Sequence, residues 1–248
     1  MTTVRAREQP VTTEDSLAPL PYPDRQTAGR ELASLLRNHA NDPDVVVLAL
    51  PRGGLPVASE VARALRVPLD VLVVRKLGVP WQPELAAGAI ACGGIMFSNP
   101  QVAAYFPNLE KTLEDAAARE RHELQRRESV YRKGRAPLDV RDRIVILVDD
   151  GIATGSTMEA AALALRAMHA RSIVVAVPVA PAESIEMLAR HADRVVCAHQ
   201  PEPFIAVGRW YQDFPQLTDD EVVAILAQHR GPSSGKRAAA GSDQRHGH

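Results

Sequence analysis

Cysteine is almost missing from this chain: Cys92 and Cys197 are the only two, they lie far apart, and neither belongs to a C-x-x-C pair or a Cys/His cluster. That excludes a disulfide framework and argues against structural zinc. Charge of one sign is missing too. With 29 Lys and Arg against 30 Asp and Glu, the formal net charge is -1, so there is no whole-chain basic field to make nucleic acid the main partner. No apolar run approaches the ~20 residues that span a bilayer, and the N-terminus carries Arg5, Arg7 and Glu8 without an apolar signal core. The expected location is therefore the cytoplasm, with no membrane partner. A Walker pattern, G-x-x-x-x-G-K-[ST], does not occur either. Aromatics make up only 4% of the chain, which makes Trp210, Tyr211 and Phe214 stand out as a group.

What the chain does have is 248 residues, 46% of them hydrophobic, enough for one large core. Residues 1–20 and 231–248 have tail composition and read as disordered, leaving a domain over residues 21–230. Inside it, short β-branched runs alternate with helical patterns. Strands are expected over residues 44–50, 69–74, 144–148, 172–177 and 194–197. Helices are expected from Asp24, as N-cap, to about residue 39, and over residues 57–65, 109–133, 182–189 and 219–228, the last capped by Thr218. The helix over 109–133 buries a narrow stripe of Leu113, Ala117, Leu124 and Tyr131 beneath mixed charge. Such alternation implies an α/β fold, a doubly wound and mainly parallel sheet flanked by helices.

One stretch organises the rest: I-V-I-L-V-D-D-G-I-A-T-G-S-T-M over residues 144–158. A buried strand ends in Asp149 and Asp150, then Ala153, Thr154, Gly155, Ser156 and Thr157 lead into a helix. Free amides at that helix start, hydroxyls, and a glycine that permits close approach suit a phosphate. The two carboxylates would repel a bare phosphate but accept hydrogen bonds from the vicinal hydroxyls of a ribose. A second candidate anion loop, Pro51-Arg52-Gly53-Gly54, follows the first strand, with Arg52 offering a forked cation and the glycines exposing amides. Alone it reads equally as a plain turn. Its place at a parallel strand's end raises it, since ligands in open α/β sheets sit beyond carboxyl ends. Arg75 and Lys76 close the third expected strand. Arg25 and Arg30 read as solvated charge on the first helix, with anion binding as the alternative. The cluster of Trp210, Tyr211 and Phe214 fits either a planar heterocycle or a core or dimer-interface patch, so a homodimer is left open.

The stretch over 144–158 resembles the phosphoribosyl diphosphate (PRPP) signature of type I phosphoribosyltransferases: a hydrophobic strand, two acidic residues, then small-x-x-Thr-Gly-x-Thr. V-R-K-L-G-V-P, P-E-L-A-A-G-A-I and W-Y-Q-D-F further resemble a bacterial group of predicted phosphoribosyltransferases. The resemblance implies a small hood beside the sheet, Mg²⁺ as cofactor, and PRPP with a nitrogenous acceptor as partners. It implies that Asp149 and Asp150 hold the ribose and, through water, the metal. It places the 5-phosphate on Ala153, Thr154, Gly155, Ser156 and Thr157, and the pyrophosphate on Arg52, Gly53, Gly54, Arg75 and Lys76. A non-proline cis peptide belongs to the family's pyrophosphate loop. A loop over residues 78–88, holding Trp81 and Glu84, matches one that closes over PRPP in the family. Members that use 6-oxopurines carry an aspartate where this chain has Ala153, which disfavours hypoxanthine and guanine. A regulator that binds PRPP or a nucleotide on the same fold is the alternative function. A phosphatase would want a nucleophile or dinuclear ligands that the sequence does not offer.

Overall fold

The computed structural model describes residues 17–78, 87–94, 96–106, 109–133, 135 and 138–229. Five strands form a parallel sheet: β1 (Val45–Ala49), β2 (Leu69–Val71), β6 (Ile144–Val148), β7 (Ser172–Val179) and β8 (Arg194–His199). Their order is β2-β1-β6-β7-β8, so the chain winds one way from β1 to β2 and the other way from β6 through β8. The reversal opens a crevice between the carboxyl ends of β1 and β6, where sheets of this kind place ligands.

Side chains on a strand alternate between faces, which gives the sheet two cores. Val45, Val47 and Ala49 of β1 and Ile146 and Val148 of β6 face one apolar layer. That layer is filled by α1 (Arg25–Leu35), α2 (Gly54–Leu65), the long α4 (Leu109–Tyr131) and α7 (Asp219–Gln228). Val46, Leu48, Val145 and Leu147 face the other, under α5 (Ser156–Ala167) and α6 (Ala182–Leu188). Both faces of the central strands are buried, the reason their sequences are continuous apolar runs. The doubly wound α/β expectation stands. Helix starts follow their caps: Asp24 accepts from Thr27 N at 2.6 Å, and Thr218 with Glu221 forms a full capping box.

The hood departs from strict βαβ alternation. The expected strand over 69–74 is two strands. β2 ends at Val71, and after Leu72 and Val73 the chain starts β3 (Val74–Leu77) in a separate antiparallel sheet, order β3-β4-β5, with β4 (Gly88–Ala91) and β5 (Met96–Ser98). The unbroken L-D-V-L-V-V run conceals the change of sheet because both sheets take β-branched residues. A short helix, α3 (Pro100–Ala103), leads from β5 toward α4. Trp81 and Glu84, and most of the loop over 78–88, lie outside the described residues, as do the tails over 1–16 and 230–248. Residues 17–20, assigned to the tail by composition, run against α1, with Ala18 N donating to Glu31 Oε2 at 2.7 Å.

Candidate functional site

Two loops meet at the crevice. Beyond β1, Leu50 N still donates to Val148 O at 2.9 Å, which holds the next residues against β6. The Pro51–Arg52 peptide is cis, as the resemblance allowed. Gly53 has an ordinary helical backbone, φ -60 and ψ -36, so unusual torsion is not why this chain has glycine there. Proximity is. A Cβ on Gly53 would overlap Asp150 Oδ2 outright, and one on Gly54 would lie 2.7 Å from Val148 O and 2.8 Å from the Asp149 Cα. The Arg52 loop thus packs directly on the acidic pair, and any side chain at either glycine would push the two apart.

The loop after β6 is fastened from the far side. Ile152 N donates to Val179 O at 2.9 Å, and the Ser184 hydroxyl donates to Ala153 O at 2.8 Å. Gly155 has φ +77, a left-handed torsion glycine adopts without penalty, and it turns the chain into α5. No side chain caps α5. Its first amides therefore face the crevice with their donors free of a side-chain cap, beside exposed Ala153, Thr154 and Thr157. Thr154 Oγ1 lies 3.3 Å from Ser156 Oγ, and Lys76 Nζ donates to Ser156 Oγ at 3.2 Å.

The acidic pair is desolvated. Burial pushes the Asp149 carboxyl well above the ordinary carboxylate range, and the Asp150 charge adds to that. Burial raises Asp150 as well, against the opposing pull of Arg25. Arg25 Nε lies 2.8 Å from Asp150 Oδ2, in an ion pair whose side chains are 7% and 12% exposed. Arg25 Nη1 also donates to Pro215 O at 2.9 Å, and its guanidinium lies 3.7 Å from the centroid of the Phe214 ring. The solvated-charge reading of Arg25 is therefore wrong. Arg30, which donates to Thr27 Oγ1 at an exposed position, keeps it.

The cations fall apart into three situations. Arg52 Nη1 lies 3.8 Å from Asp219 Oδ1, at the start of α7, where Arg126 and the Tyr131 hydroxyl also bond. Arg75 and Lys76 sit inside β3 of the hood, not at the end of a parallel strand. Consecutive strand residues point to opposite faces. Arg75 accordingly pairs with Glu120 of α4 at 2.7 Å, while Lys76 reaches the β6 loop.

The aromatic cluster is mostly a core. Tyr22 and Tyr211 are buried with Val179, and Trp210, Phe204 and Phe214 pack around them. Phe214 stacks on Tyr211 at 4.9 Å between centroids, and the Tyr211 hydroxyl donates to the backbone carbonyl of Asp150. Arg25, Tyr211, Phe214 and Asp219 are the contacts that sequence reading did not assign to the site. For Tyr211 and Phe214 the signal was W-Y-Q-D-F, aromatic density far above the chain's average; Arg25 and Asp219 lie outside that segment.

A family model described as phosphoribosyl transferase domain matches residues 22–208. This chain belongs to the phosphoribosyl transferase domain family. Two Mycobacterium tuberculosis proteins, Rv0571c and MT0597, both provisionally named phosphoribosyl transferases, are 50% identical to it over 206 residues. The match covers 83% of this chain and 46% of each relative, so the chain spans about half the length of the curated relatives it matches. TT1426 of Thermus thermophilus, a solved structure, is 44% identical, with a TM-score of 0.78 over 85% of this chain and 99% of that one. The acidic pair, both loops and β1 through β8 all lie within the span that the phosphoribosyl transferase model matches.

Proposed function

We propose that this chain transfers ribose 5-phosphate from PRPP to a nitrogenous base or amine and releases pyrophosphate, with Mg²⁺ as cofactor. The supporting observation is the contact of Gly53 and Gly54 with Asp149 and Asp150. It sets a carboxylate pair, a cationic loop and an uncapped helix start side by side, the chemistry that a diphosphate, a vicinal diol and a monophosphate on one sugar would need.

The donors fit magnesium. Among the described residues no group of three or more His, Cys, Asp or Glu could cage a metal, whereas magnesium is commonly held by one or two carboxylates, waters and substrate phosphates. Asp149 and Asp150 would hold it, and bound metal would neutralise charge on the diphosphate. The chain's own residues do the positioning. Asp149 and Asp150 accept from the ribose hydroxyls, Thr154, Gly155, Ser156 and Thr157 with the α5 amides hold the 5-phosphate, and Arg52 and Lys76 stand against the leaving pyrophosphate. Pyrophosphate departs with the electron pair of the C1–O bond, the acceptor nitrogen bonds to C1, and no enzyme nucleophile is used. Arg75, held by Glu120, has the weakest claim to a role.

Incubation with PRPP, Mg²⁺ and a panel of bases and small amines, read as pyrophosphate release, tests this. Release with one acceptor supports transfer. Binding of PRPP without release for any acceptor would replace it by the regulator reading, and no binding at millimolar PRPP would overturn both. Among the described residues no helix is long and apolar enough to cross a membrane.

A further inference from the structure

We infer that Arg25, seated on Phe214 and Pro215, is a positioning residue that locks Asp150 in place for PRPP, and that the W-Y-Q-D-F segment serves this lock instead of stacking on a base. The inference rests on the reading of the site just given and extends it to residues outside the two loops.

Asp150 is gripped at both ends. Its backbone carbonyl accepts from the Tyr211 hydroxyl, and its Oδ2 accepts from Arg25 Nε. Oδ2 is also the atom on which Gly53 closes, so that oxygen is walled in by Arg25 and the Arg52 loop. Of the two carboxylate oxygens, Oδ1 is the one that does not accept from Arg25. Arg25 is fixed in turn: it is 6% exposed, its Nη1 donates to Pro215 O, and the Phe214 face beneath the guanidinium attracts a cation. Phe214 stacks on Tyr211, which closes the circuit from the guanidinium back to the Asp150 carbonyl. An aromatic platform for a planar acceptor would keep a ring face free. Here one face of Phe214 carries Arg25, the ring stacks on Tyr211, and Tyr211 is 5% exposed.

The two carboxylates therefore have different tasks. Asp150 is charge-matched from inside the protein and rigid. Asp149 accepts from the amide of Asp150 at 2.9 Å and has no cation within ion-pair distance among the described residues.

The test is PRPP affinity with Mg²⁺ by calorimetry, at a temperature where circular dichroism shows every variant folded. The variants are Arg25→Met, Arg25→Lys, Phe214→Leu and Tyr211→Phe. Val222→Ala, a core truncation in α7 away from Asp150, is the control for lost stability. Arg25→Met should weaken PRPP by roughly tenfold or more, the scale of a lost hydrogen bond to a charged group. Phe214→Leu and Tyr211→Phe should weaken it by roughly two- to tenfold, Arg25→Lys should recover part of the loss in Arg25→Met, and Val222→Ala should bind as the parent does. Should Arg25→Met fail to fold, the Phe214 and Tyr211 variants still decide. Parent-like affinity in both would overturn the lock. Equal weakening in Val222→Ala would overturn it too, by showing that any loss of stability has this effect. A parent chain that binds no PRPP would overturn the reading of the site itself, an outcome distinguishable because it needs no variant.

Discussion

In the parallel sheet, Asp150 and Gly53 meet because β6 and β1 are paired in register, Val148 opposite Ala49, and each residue lies in the loop that leaves its strand. In the antiparallel hood, Lys76 meets Ser156 only through the length of its own side chain, and its neighbour Arg75 is drawn off to Glu120. Backbone pairing fixes the first contact, so it can fail only together with the structure around it. Side-chain reach makes the second, and it can be removed without disturbing a strand. Substitutions at the residues that this pairing packs together, Asp150 and Gly53, should therefore change stability and binding together, whereas removal of the one hood side chain that reaches the crevice, Lys76, should change binding alone.

The largest effect should separate the two carboxylates within the crevice itself. Asp150→Asn leaves Arg25 as a buried charge without its counter-ion, a loss of about 3–5 kcal/mol. For a domain of this size that lowers the melting temperature by roughly 6–20 °C. Asp149→Asn removes a desolvated charge that repels its neighbour, so the melting temperature should hold or rise. PRPP affinity should nevertheless fall by about 10- to 150-fold, the loss of one charge-assisted interaction. Melting curves and calorimetry on both variants check this. Equal melting temperatures would mean that the Arg25 pair adds nothing, and the division between the carboxylates would be lost.

Next in size is Gly53→Ala, which places a methyl on Asp150 Oδ2. Overpacking of this kind costs about 1–3 kcal/mol, and PRPP binding should fall with it because the Arg52 loop must retreat from the acidic pair. A variant that melts and binds as the parent does would show that this loop yields freely, against the rule that crevice contacts are fixed by backbone.

In the hood, Lys76→Ala should weaken PRPP by roughly tenfold while the melting temperature stays within about 2 °C. Arg75→Ala breaks a pair about one-third exposed on both sides, which contributes about 0–1 kcal/mol, and PRPP affinity should barely change. A larger binding loss for Arg75 than for Lys76 would reverse the assignment made from the strand's alternating faces.

The same contrast explains what could be read before the structure was known. The crevice was legible because D-D-G and P-R-G-G stand at the ends of apolar runs, and a parallel sheet brings such ends together whatever the side chains do. Two things were not legible. The step from β2 to β3 occurs inside one β-branched run, so Arg75 and Lys76 looked like a strand terminus when they lie mid-strand on opposite faces. Arg25 sits 125 residues from Asp150, on a helix whose one other cation, Arg30, is solvated, and nothing local distinguishes the two. The W-Y-Q-D-F segment carried the only hint, but its composition cannot tell a ring that receives a ligand from one that seats an arginine.

The smallest effect lies on the parallel-sheet side, at the rim of its core. Just beyond α7, His229 Nε2 lies 2.8 Å from the Ser59 hydroxyl of α2. Burial lowers its pKa below the ordinary value of 6.5, with Arg63 and Arg135 adding to the effect. A histidine whose folded pKa is depressed takes up protons more readily when unfolded. Its contribution to stability is therefore complete above pH ~6.5 and is lost as pH falls through the folded value. The carboxyls of Asp149, Asp150 and Glu159, the last in the first turn of α5, are raised by desolvation and act in the opposite direction, since raised acids favour the folded state as pH falls. The raw melting temperature of the parent between pH 7.5 and 5 therefore mixes the two signs. The difference between the parent and His229→Gln isolates the histidine. At a half-exposed site solvent screens much of the effect, so the parent should lose only roughly 1–3 °C more than the variant across that interval. Parallel curves would mean that α7 is not held to α2 through a neutral His229, and that even within the parallel core this contact, made by side chains alone, can be dispensed with as those of the hood can.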